Sequence, residues 1–125
     1  MGYTYSFGAG DADIYVIKTD AAGTEQWSRT LGDGARDYGN DGIEASGGGF
    51  VIAGSTTLYG GGGQNVFVAR LDAQGNEEWS TILGGPMADA GCAVCEADDG
   101  GFVVAGYTFS SGAGQSDVYL SLIHI

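Results

Sequence analysis

Short apolar runs separated by glycine-rich polar stretches set the pattern of this chain. Phe50, Val51, Ile52 and Ala53 form one run, residues 66–71 a second and residues 78–83 a third. Aromatic and β-branched side chains dominate them, and none is long enough or suitably periodic for a helix. The first two runs are apolar on both faces, which predicts strands covered from both sides. In the third, Trp79, Thr81 and Leu83 share one face, while Ser80 and Ile82 share the other. A fourth run over 92–97 is weaker, with Glu96 directed opposite to Cys95 and Ala97. This gradient predicts two sandwiched inner strands followed by progressively more exposed outer ones.

The connections carry turn chemistry. Residues 20–24 (Asp-Ala-Ala-Gly-Thr) and 72–76 (Asp-Ala-Gln-Gly-Asn) place Gly23 and Gly75 where a tight hairpin needs positive φ. Residues 46–49 and 98–101 do the same between copies of the pattern, and longer glycine loops surround Gly8 and Gly60.

The pattern is an internal repeat. Residues 2–53 align without a gap on 54–105, with 22 of 52 positions identical, and residues 106–119 match 2–15 at nine of 14. Trp27 and Trp79, Asp20 and Asp72, Asp37 and Asp89, Glu44 and Glu96, and Phe50 and Phe102 are all 52 apart. Four strands per unit, the inner ones buried on both faces, predict an all-β chain of four-stranded antiparallel β-propeller blades. The units are repeat 1 (2–53), repeat 2 (54–105) and partial repeat 3 (106–119). A solenoid is disfavoured, because its coils usually run ~20–30 residues.

Gly-Gly-Phe-Val-Val-Ala-Gly-Tyr-Thr, followed by Asp-Val-Tyr, Leu-Asp-Ala-x-Gly-Asn-Glu-Glu-Trp-Ser and Leu-Gly-Gly, resembles the repeat of bacterial and archaeal extracellular β-propeller proteins. The blade is similar to that of the quinoprotein (PQQ-type) propeller superfamily. That likeness implies an Asp–Gly–Trp docking motif at Asp20, Gly23 and Trp27 and again at Asp72, Gly75 and Trp79. The quinoprotein turn has one more residue, usually with Thr before the Gly, and this chain lacks it. The resemblance implies a non-catalytic module for binding or display in a secreted or cell-envelope protein. Its partners would be a protein or glycan ligand and the remaining blades of a longer chain. The alternative is part of an enzyme propeller, quinoprotein-like or hydrolytic, whose active site lies outside these residues.

A propeller closes with about four to eight blades, so these 2.4 copies are expected to be a fragment. Residues 120–125 (Leu-Ser-Leu-Ile-His-Ile) read as a translated transposase-end adapter, with a divergent strand as the alternative. His124, the one histidine, therefore carries no functional weight.

Composition narrows the partners. Twenty-five of 125 residues are Gly, which disfavours helices throughout. Hydrophobic residues make up 43%, too many for disorder. Sixteen acidic and four basic residues give a net charge of −12. Such a surface repels phosphate backbones and anionic lipid heads, so nucleic acid and anionic membranes are poor partners.

No catalytic, cofactor or metal site is assigned. Cys92 and Cys95 form a CxxC on a strand, where their side chains point apart, too far for a disulfide. They read as free thiols, with Cys95 as a small buried apolar residue. Gly8 to Tyr15 resembles a calcium-binding nonapeptide, but it recurs every 52 residues rather than every nine. The recurring Asp13, Asn65 and Asp117 read as turn caps, with calcium ligation as the alternative. Asp33, Asp37, Asn40 and Asp41 read as a solvated acidic loop. Trp27 and Trp79 read as core or inter-blade packing, with sugar stacking as the alternative. Without a credible His there is no Ser-His-Asp arrangement, and no carboxylate pair stands out among the 16 acids.

Overall fold

The computed structural model describes residues 2–4, 11–32, 34–57, 63–110 and 115–123. Among them the chain is all-β, with no helix. Ten strands follow one another: β1 (Gly2–Thr4), β2 (Asp13–Thr19), β3 (Glu25–Leu31), β4 (Asp37–Glu44), β5 (Phe50–Thr56), β6 (Asn65–Leu71), β7 (Glu77–Leu83), β8 (Asp89–Glu96), β9 (Phe102–Thr108) and β10 (Asp117–Ile123). They form three antiparallel sheets, ordered β1-β2-β3, β4-β5-β6-β7 and β8-β9-β10.

The hairpin turns follow from single side chains. Oδ1 of Asp20 accepts the N–H groups of Ala22 and Thr24, each at 2.9 Å, and Oδ1 of Asp72 accepts those of Gln74 and Asn76 at the same distance. An acid at the first turn position thus satisfies backbone donors that the ladder leaves over. Gly23 and Gly75 adopt φ of +83° and +82°, as the turn pattern predicts.

One expectation is corrected. The sequence pattern makes the fourth run over 92–97, and its equivalent over 40–45 one repeat earlier, the outer strand of its unit, followed by a connection to the next copy. Instead the earlier run lies in β4, which opens the second sheet and pairs with β5 from Asp37–Thr56 to Glu44–Phe50. The reason is local. Ala45 and Gly49 close a tight turn, with Ala45 N–H bonded to Gly49 C=O at 3.0 Å and Gly48 N–H to Ala45 C=O at 2.9 Å. A hairpin that short forces its two arms into one sheet. The equivalent turn, closed by Ala97 and Gly101, joins β8 to β9. The exposed outer strand of the second sheet is therefore β7.

The second sheet is the centre of the molecule. On one face Val51, Ala53, Val66 and Val68 pack against Val94, Phe102 and Val104 of the third sheet. On the other, Ile52, Phe67, Ala69 and Leu71 pack against Ile14, Val16 and Leu31 of the first. β5 and β6 are consequently buried almost throughout, as expected for strands apolar on both faces. Backbone bonds tie neighbouring sheets at one end. Asp37 N–H donates to Ala12 C=O, and Asp89 N–H to Gln64 C=O, both at 2.7 Å.

Trp27 adds a second tie at the outer end. It lies half-buried on β3, edge-on to Phe50 with ring centroids 5.4 Å apart. Its indole N–H donates to Ala73 C=O in the β6–β7 turn at 3.3 Å. Arg29 lies 5.7 Å from the indole centroid and donates to Gln74 C=O at 2.9 Å. The indole packs so closely on Gly75 that an added Cβ there would lie 2.8 Å from the ring. Trp27 thus joins the first sheet to the second, as inter-sheet packing requires. Trp79 likewise packs half-buried on the core between the second and third sheets.

Gly23 and Gly75 share one backbone conformation, but nothing lies within 4 Å of a Cβ at Gly23. We expect Gly23→Ala to cost about 1–2 kcal/mol, the left-handed strain alone, and Gly75→Ala to cost more. Trp27→Ala should cost ~3 kcal/mol. In the Trp27→Ala background the excess cost at Gly75 should vanish. Urea melts of the three single variants and the Gly75/Trp27 double variant give this coupling directly.

Candidate functional site

Two arrangements concentrate polar chemistry: the joints where sheets meet at the starts of strands, and an open cleft at Trp79.

The second joint is built around Asp89, the fully buried first residue of β8. Its Oδ2 accepts Gly85 N–H at 2.9 Å and Ser110 Oγ–H at 2.8 Å. Its Oδ1 accepts Thr108 Oγ–H. Ser110 Oγ also receives Met87 N–H at 3.0 Å, and Thr108 Oγ1 receives Ser110 N–H at 3.0 Å. Burial disfavours charge on Asp89, but the Gly85 N–H, the two hydroxyls and the Ser110 N–H outweigh it and hold its pKa below the usual carboxylate range. Asn65, buried at the start of β6, meets the same spot, since a Cβ on Gly84 would lie 2.7 Å from both Asn65 Oδ1 and Asp89 Oδ2.

The first joint repeats the arrangement with two acids. Asp13 and Asp37 are each 1% exposed and converge above Gly32, where a Cβ would lie 2.7 Å from Asp13 Oδ1 and 2.3 Å from Asp37 Oδ2. The reading of Asp37, Asn40 and Asp41 as a solvated loop is therefore corrected. Asp37 is a buried strand residue. Asn40 Nδ2 donates to Gly91 C=O at 2.8 Å, and Asp41 Oδ2 accepts Val94 N–H at 2.9 Å, so both bridge to the third sheet. The β4 side chains reach partners about 50 residues away, which a local reading of acids as loop residues misses. Asp33 lies outside the described residues.

The remaining sequence candidates separate. Asp13 and Asn65 are buried first residues of strands, while Asp117 opens β10 half-buried. The glycine loop around Gly8 lies outside the described residues. Asp11, next to it, is exposed and pairs with Arg36 at 3.4 Å. Among the described residues no three His, Cys, Asp or Glu side chains come together as a metal cage. Cys92 and Cys95 are free thiols, but Cys95 is exposed rather than buried. It pairs with Val103 on the open face of the third sheet, and among the described residues no element covers it. His124 lies outside the described residues.

The cleft at Trp79 opens beside β7 and encloses about 500 Å³. Trp79, Phe102, Arg70, Glu78, Glu96 and Ser46 line it. Arg70 Nε donates to Glu78 at 2.9 Å, its Nη2 donates to Gly48 C=O at 3.0 Å, and its guanidinium lies 5.5 Å from the Phe102 centroid. Glu96 accepts Ser46 Oγ–H at 2.7 Å and Ser46 N–H at 2.8 Å. The Ser46 hydroxyl and N–H, with the Arg70 charge, hold its pKa below the ordinary range. Sequence reasoning registered Glu96 and Phe102 only as repeat positions and missed Arg70 and Ser46. The one available signal was the recurrence of Lys18, Glu44 and Phe50 52 residues earlier, which line a smaller cleft beside Trp27.

No family model matches the chain. It is similar to the Regulatory protein FlaEY of Caulobacter vibrioides, at 29% identity over 133 aligned residues. The match covers 90% of this chain but 14% of that protein.

The depressed pKa of Asp89 sets a pH dependence. Its folded pKa lies below the unfolded value of about 4, so its stabilising contribution is complete above that value. It is lost as pH falls through the lower folded pKa. We expect the chain to lose stability below about pH 4, and Asp89→Asn to be less stable at pH 7 but to fall off less steeply in acid. Thermal melts of both proteins from pH 7 to pH 2 provide the check.

Proposed function

We propose that the chain is part of a β-propeller of four-stranded blades with a 52-residue repeat, and that it serves as a non-catalytic binding or display module. The observation that carries this reading is the second sheet, covered on both faces by sheets that use equivalent residues. Moving β2 and β3 forward by 52 positions lands on β6 and β7, and moving β4, β5 and β6 lands on β8, β9 and β10. Repeat arrays draw their stability from such neighbour contacts, which frees surface clefts for ligands.

The chemistry of the Trp79 cleft supports binding rather than bond-making. Its one hydroxyl, Ser46, donates to Glu96, and Arg70 is occupied by Glu78 and Gly48. One half-buried indole with a guanidinium and two carboxylates suits a glycan or a peptide. The secreted or cell-envelope setting rests on the resemblance of the repeat to extracellular propeller proteins.

Glycan and peptide arrays probed with the purified chain test the module. Saturable binding that Trp79→Ala weakens by roughly tenfold or more is expected. Turnover of chromogenic glycoside, ester or phosphate substrates by the chain would overturn the reading.

A further inference from the structure

The two joints share one frame and differ in one charge. Gly32 follows β3 with φ of +135°, and Gly84 follows β7 with φ of +141°. Above each glycine the first residues of two strands meet, Asp13 with Asp37 in the first joint and Asn65 with Asp89 in the second. None of the four is more than 3% exposed. Each joint carries the same backbone tie, Asp37 N–H to Ala12 C=O and Asp89 N–H to Gln64 C=O, both at 2.7 Å. Among the strand-opening residues that meet there, the one difference is Asp13 in place of Asn65.

Distance and burial make that difference matter. Asp37 Oδ2 and Asp13 Oδ1 lie 2.3 Å and 2.7 Å from the point that a Cβ on Gly32 would occupy, so they are no more than 5.0 Å apart. Two carboxylates this close and cut off from water oppose each other far more strongly than two surface acids do. In the second joint the same place holds an amide oxygen beside one carboxylate, and no second full charge is brought in. Arg36, the residue before Asp37, is turned to the surface, where it pairs with Asp11 at 3.4 Å.

We propose that the first joint is a seam set to open locally, and that the residue facing the repeated acid sets how readily each joint opens. A carboxylate there loosens the joint, and an amide holds it shut. Opening parts the segment before β2 from the start of β4. Trp27 and Arg29 still hold the outer end through Ala73 and Gln74, so the first sheet pivots on the second rather than leaving it. The inference concerns the joints alone and does not depend on what the module binds.

Amide hydrogen exchange of the full chain at pH 7 reads each seam through its own tie, Asp37 N–H for the first and Asp89 N–H for the second. After correction for intrinsic rates, Asp37 N–H should exchange faster than Asp89 N–H in the wild-type chain. Asp13→Asn should slow Asp37 N–H by roughly tenfold or more and leave Asp89 N–H unchanged. Asn65→Asp should speed Asp89 N–H by a similar factor and leave Asp37 N–H unchanged. If Asn65→Asp fails to fold, the Asp13→Asn result decides alone. Equal shifts at both amides would mean that the substitution alters the stability of the whole chain rather than one seam, and would overturn the proposal. An unchanged Asp37 N–H in Asp13→Asn would overturn it as well. So would a faster one, which would make the Asp13 carboxylate a required acceptor. If added calcium chloride slows Asp37 N–H in the wild type but not in Asp13→Asn, the pair is a cation site and the seam is rejected.

Discussion

Everything in this molecule depends on sheets burying one another. No helix covers a face among the described residues, so each strand's apolar side chains can leave water only against a neighbouring sheet. The second sheet has a neighbour on each side, and its β5 and β6 are buried almost residue by residue. The third sheet has one neighbour, and its β10 alternates between half-buried and exposed along its whole length. The same apolar content therefore gives a sealed core or an open surface according only to what lies next to it.

Face packing alone does not fix how two sheets are offset, because the hydrophobic effect is non-directional. The joints supply direction. At the inner end, a backbone bond from the first residue of β4 or β8 reaches the segment before β2 or β6, and a buried carboxylate sits at the same point. At the outer end, Trp27 meets a turn that only a glycine in a left-handed conformation can form so close to an indole. Between these ends Asn40 and Asp41 reach across to β8. Polar groups placed at defined points set the register, and the apolar faces then supply most of the stabilisation.

The sequence carried the strands and turns well, because those are local. Alternation, β-branching and Asp-x-x-Gly turns each act within about five residues, and the ten strands fall where these signals lie. It carried the sheets less well. Whether residues 40–45 end one sheet or begin the next depends on the tight turn closed by Ala45 and Gly49, and glycine runs alone do not give a turn length. The burial of Asp37 was illegible for a different reason. An acid beside other acids reads as solvent-facing, and only contact with another sheet reveals that its carboxyl is enclosed. Cys95 failed in the opposite sense, since a small apolar residue on a strand reads as core, and here the side chain is exposed.

The two joints also show which parts of this design tolerate change. The position filled by Asp13 in one joint is Asn65 in the next, so the joint accepts a neutral amide for a carboxylate at that point while keeping both residues buried. The acid across from it does not vary, being Asp37 in one joint and Asp89 in the other. The hydrogen bonds explain the difference. The carboxylate of Asp89 collects donors from Gly85, Thr108 and Ser110, a set that only an acceptor with two oxygens can satisfy in full. An amide there would turn an NH₂ toward those donors and leave buried groups unmatched. At Asp89 the acid is therefore matched to the donors that converge on it, while the facing position holds Asp13 in one joint and Asn65 in the other. That separation lets neighbouring joints differ electrostatically without altering how the sheets stack.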